Sequence, residues 1–164
     1  MAVWQVIEEG LDWQLVQDGF VAGLSTQNLE STVEWLSNRG YHVVRFDASR
    51  WYERESMHRA FASALDFPAY YGANMDALAD CLGDVAEMAY GWPSEAIGLV
   101  LVLDGVDVDA DGLELGTIRA VLKLISDAAR HGSLMGNRIL CIVHSEKDST
   151  QNALAAGGLV SWKF

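Results

Sequence analysis

Gly98-Leu99-Val100-Leu101-Val102-Leu103-Asp104 is an unbroken apolar run closed by an acid. A strand with one wet face alternates, whereas a strand covered on both faces does not. The run therefore reads as a strand with helices above and below it. Arg138 to Val143 reads the same way, and the stretch between, from about Leu113 to His131, carries Ile118, Val121, Leu122, Ile125 and Ala129 at helical spacing, with Gly132 as the expected C-cap. Residues 105–112 form an Asp/Gly-rich loop. Strand, helix, strand with two-sided burial predicts an α/β domain with a mainly parallel sheet.

Working outward, Tyr41 to Phe46 is a predicted strand and about Glu53 to Leu65 a helix. Ser25 or Thr26 can cap a helix from about Gln27 to Asn38 that stops at Gly40. Residues 2–7 and 13–22 are expected as strands, paired through an Asp18-Gly19 turn. Thr150 to Ala156 predicts a short helix and residues 159–164 a final strand. All 164 residues are expected in a single domain.

The segment before Gly98 carries the chemistry. Asp66-Phe67-Pro68-Ala69-Tyr70-Tyr71-Gly72-Ala73-Asn74 is turn chemistry, and Asn74 is a strong N-cap. A helix from Met75 to about Ala89 follows. Met75, Leu78, Leu82, Val85 and Ala89 fall on its core side. Asp76, Asp80 and Asp84 recur every four residues on the other side, followed by Glu87. Each like-charge pair four apart costs about 0.2–0.5 kcal/mol in an isolated helix. A cationic partner accounts for that tolerated repulsion; a solvated acidic face is the plainer alternative.

Net charge is −12, and its distribution is uneven. No Lys or Arg occurs between Arg59 and Arg119, an interval holding eleven carboxylates, while the rest of the chain carries twelve acids and eleven bases. Such a field repels nucleic acid and membrane surfaces and attracts basic proteins. No apolar run is long enough for a membrane span. Residues 1–9 lack a basic n-region, and Cys81 and Cys141 read as buried thiols, so a cytoplasmic location is expected. Phosphate-loop, dinucleotide and Gly-x-Ser-x-Gly signatures are absent from the sequence, and His42, His58, His131 and His144 have no zinc-ligand spacing. No cofactor is implied. Asp76, Asp80 and Asp84 spread over about 12 Å of helix axis at ~1.5 Å per residue, which suits an extended basic surface better than a metal ion.

Leu-Asp-Phe-Pro-x-Tyr-Tyr-Gly-x-Asn-x-Asp-Ala-Leu-x-Asp-Cys-Leu, residues 65–82, resembles the signature of the barstar family, intracellular inhibitors of barnase-type microbial ribonucleases. Weaker agreement extends over about 41–143. The resemblance implies a barstar-like core there, with residues 1–40 and 144–164 as N-terminal and C-terminal extensions. It implies no catalysis: the acidic helix occupies the ribonuclease active site, its carboxylates standing in for RNA phosphates. Asp80 becomes the principal phosphate mimic and Asp76 its partner, with Tyr70 as aromatic packing and Gly72 and Asn74 as backbone or amide contacts. Asp84 extends the acidic stripe, and the family's further acid, counted back from Gly132, falls at Asp127. The family's interface tryptophan is replaced by Ala79. Trp92-Pro93 matches a step that is cis in the family. The partner implied is a basic secreted or toxin ribonuclease. Two other readings stand beside it. One is an interaction module without a nuclease partner, whose terminal segments form a dimer or dock on another protein. The other is a metal-dependent hydrolase using Asp76, Asp80 and Asp104 or Asp107.

Overall fold

A computed structural model describes residues 10–108 and 112–163. Five strands form one sheet in the order β2-β3-β4-β1-β5, every pairing parallel. In chain order the elements are α1 (Leu11–Val16), β1 (Val21–Leu24), α2 (Thr26–Arg39), β2 (His42–Asp47), α3 (Arg54–Ala64), α4 (Met75–Ala86), β3 (Leu99–Asp104), α5 (Leu115–Leu134), β4 (Ile139–His144), α6 (Asp148–Ala155) and β5 (Ser161–Lys163). The α/β class and the parallel sheet are as the sequence predicts.

The two-sided burial of the central strands is literal. Leu99, Leu101 and Leu103 of β3 and Ile139, Cys141 and Val143 of β4 face a core that includes Phe61 of α3, Leu82 of α4, Ile125 of α5 and Leu154 of α6. Val100, Val102, Leu140 and Ile142 face the opposite core, with Leu15 of α1 and Leu29 and Leu36 of α2. Alternation by two along a strand thus feeds both cores with apolar residues.

The N-terminal expectation is corrected. Residues 13–22 are not one strand: residues 11–16 are helical and β1 begins only at Val21. Asp18-Gly19 does mark a turn, with Gly19 at φ 140°, but it joins a helix to a strand. β1 pairs in parallel with β4 and β5, so it makes no hairpin. The strand expected over residues 2–7 lies outside the described residues. β1 therefore comes from the first forty residues and sits inside the sheet, between β4 and β5.

Two further expectations change. Gly132 is not a C-cap; α5 runs on to Leu134, and Gly132 is buried where α5 crosses α4. A Cβ there would meet Ile139 Cδ1 at 3.3 Å, a tight contact with the end of a side chain, and the Ala86 carbonyl oxygen at an ordinary 3.4 Å. The Trp92-Pro93 bond is trans. Trp92 is anchored instead through its indole, which donates to the Val85 carbonyl at 2.9 Å.

Candidate functional site

α4 and the loop before it form a preorganised surface. The loop folds back on α3: the Phe67 N–H donates to the Ala62 carbonyl at 3.0 Å, and the Tyr71 N–H to Pro68 at 2.9 Å. Phe67 meets Tyr71 edge-on with centroids 4.9 Å apart. The Tyr71 hydroxyl lies 2.5 Å from Nδ1 of buried His58. Burial pushes the Tyr71 hydroxyl up to about 12, and burial with the nearby Arg54 charge lowers His58 below 6.5. With Tyr71 turned inward, Tyr70 is turned out, 85% exposed. Ala73 takes a left-handed φ of 48°, which swings the chain into the helix.

Both ends of α4 are tied down. Asn74 Oδ1 accepts the Ala77 N–H at 2.8 Å, the N-cap that its residue type predicts, and its amide reaches the Gly72 carbonyl at 3.4 Å. At the other end the Trp92 indole takes the Val85 carbonyl, and Asn137 Nδ2 takes the Ala86 carbonyl at 2.8 Å. These donors satisfy last-turn carbonyls that a helix cannot satisfy itself. Leu78, Cys81, Leu82, Val85 and Ala86 are buried, while Asp76, Asp80 and Asp84 are all exposed.

The three acids are not equivalent. Asp84 accepts a hydrogen bond from the Tyr90 hydroxyl at 3.0 Å. Tyr90, reached after Met88 turns left-handed at φ 63°, is a neighbour that the helical periodicity does not reveal. Burial, then hydrogen bonds to Cys81 and Asp84, push its hydroxyl far up. Glu87, next along the stripe, lies 2.8 Å from His131 of α5. Asp76 and Asp80 are exposed to solvent.

Asp127 stands apart. It lies on α5, pairs with Lys123 at 2.8 Å, and lines a cleft between α5 and residues 154–160. Asp104 is engaged by Arg45 and His144, and Asp107 by Lys147 at 2.6 Å. Among the described residues no three His, Cys, Asp or Glu side chains come together as a metal site. No helix among them is long and apolar enough to cross a membrane.

The profile of the family described as Barstar (barnase inhibitor) matches residues 41–144, more than half of the chain. No curated protein sequence matches. Among solved structures, one titled "Structure of Drosophila ORC bound to AT-rich DNA and Cdc6" is similar at 16% identity and a TM-score of 0.49, over 90% of this chain and 48% of that one.

Proposed function

The chain belongs to the barstar family of barnase inhibitors, and from that premise we propose that it silences a basic microbial ribonuclease or toxin nuclease by seating α4 in the enzyme's cationic active site. The observation that carries this reading is the exposed stripe Asp76, Asp80 and Asp84 on a helix capped at both ends. A rigid acidic helix loses little conformational freedom on docking. Long-range attraction speeds the encounter, and desolvated carboxylate–Arg pairs then hold the complex; barnase and barstar are themselves the reference case for such steering. Exposed Tyr70 packs on the rim, and Gly72 and Asn74 contribute backbone and amide contacts. Asp127 lies further out, already paired with Lys123. Half-buried Ala79 leaves the surface flat where the family places a tryptophan, which favours a partner with its own protruding side chain. Free, buried Cys81 and Cys141 fit a reducing compartment, inside the cell that makes the nuclease.

Titration against barnase-type ribonucleases tests the reading. Stoichiometric inhibition without turnover is expected. Asp80→Ala should weaken it by about 30-fold or more, or ~2 kcal/mol, the threshold for an interface hot spot. Unchanged affinity in that variant sinks the proposal. The alternative, an interaction module that self-associates, predicts a mass by light scattering that rises with concentration, together with indifference to Asp80.

A further inference from the structure

Three adjacent strands deliver their carboxyl ends side by side. Asp104 closes β3, His144 closes β4, and Thr26 opens α2 just after β1 ends at Leu24. The ladder sets Leu103 beside Val143 and His144 beside Leu24, so the three side chains fall in a row. Asp104 Oδ1 lies 2.6 Å from His144 Nδ1, and His144 Nε2 lies 2.8 Å from Thr26 Oγ1. An ionised carboxylate only accepts, so Nδ1 carries the proton and donates it to Asp104. Nε2 is then the acceptor, and the Thr26 hydroxyl donates to it. Arg45 fixes the other carboxylate oxygen, with Nε at 3.1 Å and Nη2 at 2.6 Å. His144 is buried, Asp104 is partly exposed and Thr26 is exposed, so the imidazole bridges two groups that lie nearer solvent.

We propose that Thr26, His144 and Asp104 are a nucleophile, its base and an orienting acid, and that they hydrolyse small carboxylic esters. The roles follow from geometry, which is how such triads are recognised across unrelated folds. Two independent features support the assignment. The first is location. The chain leaves β1 through α2, on the face that packs Leu29 and Leu36, and leaves β4 through α6, on the opposite face with Leu154. Neighbouring strands whose connections part to opposite faces open the crevice where doubly wound sheets bind ligands. The second is order along the chain. Nucleophile after a strand, then acid, then histidine is the order of the α/β-hydrolases, although Gly23-Leu24-Ser25-Thr26-Gln27 lacks their full elbow motif.

The reaction balances with water alone. Thr26 Oγ1 attacks the ester carbonyl carbon and its proton passes to His144 Nε2. The bond to the leaving alkoxide breaks, and the alcohol departs with that proton, leaving an acyl group on Thr26. Water attacks the acyl carbon, giving its proton to His144. The acid leaves as the Thr26 oxygen takes the proton back.

The test is independent of nuclease inhibition. The full chain is incubated with a fluorophosphonate probe and the adduct mapped by peptide mass spectrometry; p-nitrophenyl acetate hydrolysis is followed in parallel. The expected adduct is on Thr26, kept in Thr26→Ser and lost in Thr26→Val, whose thermal melt is recorded alongside because it removes the hydrogen-bond donor to buried His144. Ester hydrolysis should fall to the buffer rate in Thr26→Val. Asp104→Asn should slow both hydrolysis and labelling, because an amide no longer holds the imidazole in the tautomer that accepts from Thr26. No adduct on Thr26 in the folded protein overturns the proposal. So does hydrolysis undiminished in Thr26→Val, or labelling indifferent to Asp104→Asn.

Discussion

Asp80 has a like charge one turn away on either side, Asp76 and Asp84, and its carboxylate faces solvent. Removing it relieves two repulsions worth together about 0.4–1 kcal/mol. Asp80→Ala should therefore raise Tm by roughly 1–4 °C in calorimetry while it abolishes tight inhibition, a trade expected of a residue kept for binding. A lower Tm would show that Asp80 contributes to folding. Asn74→Ala should act oppositely, costing about 1 kcal/mol in denaturant unfolding through loss of the Ala77 N–H acceptor. His58 gives a pH prediction. Its folded pKa is lowered beneath the unfolded 6.5 by burial and by Arg54. The unfolded chain thus binds its proton first as pH falls. Stability is full above 6.5 and declines below it, and His58→Gln should flatten that part of a Tm-against-pH profile. Asn74 and the acid stripe were legible in the sequence because caps and helical periodicity are local. The pairing of Asp127 with Lys123, four residues earlier on the same helix, is equally local; the bond from Tyr90 to Asp84 depends on how the chain turns back after α4, which residue type alone does not encode.

The helices and strands show the same division. β3 and β4 were readable because two-sided burial writes itself into consecutive residues. α1 was misread because its inward side includes Asp12, buried and bonded at 2.7 Å to the Tyr41 hydroxyl. A polar residue facing inward breaks the apolar pattern, and only the folded chain supplies its partner. Gly132 was misplaced for a related reason: a glycine at a helix crossing and a glycine at a helix end look alike in sequence. Close approach also decides β5. A Cβ on Gly23 would lie 2.3 Å from the Trp162 ring, so the ring occupies the space that a side chain would take. Gly23→Ala should cost about 1–3 kcal/mol by overpacking. Hydrogen exchange should show β5 released before the rest of the sheet; unchanged protection of Ser161–Lys163 would contradict this.

For the molecule as a whole, charge and topology lead to different experiments. The base-free interval between Arg59 and Arg119 gives a lasting negative field, so association with a cationic nuclease should slow steeply as salt rises, with dissociation little affected. Stopped-flow rates across ionic strength would measure it. Topology bears on the expected division into a core with two extensions. A fragment of residues 41–144 would lack β1 and β5, exposing the β4 edge where Val21, Ala22, Gly23 and Leu24 normally pair. Circular dichroism should find it unfolded or aggregated; a native-like melt would establish the core as autonomous. The placement of β1 also sets a timetable. Val21 is made well before its partner Cys141 and waits for it. Pairings this distant in sequence close slowly. α4 therefore leaves the ribosome well before the sheet beneath it can assemble. The acidic surface is thus translated early but becomes a rigid, presentable face only after β4 has joined the sheet.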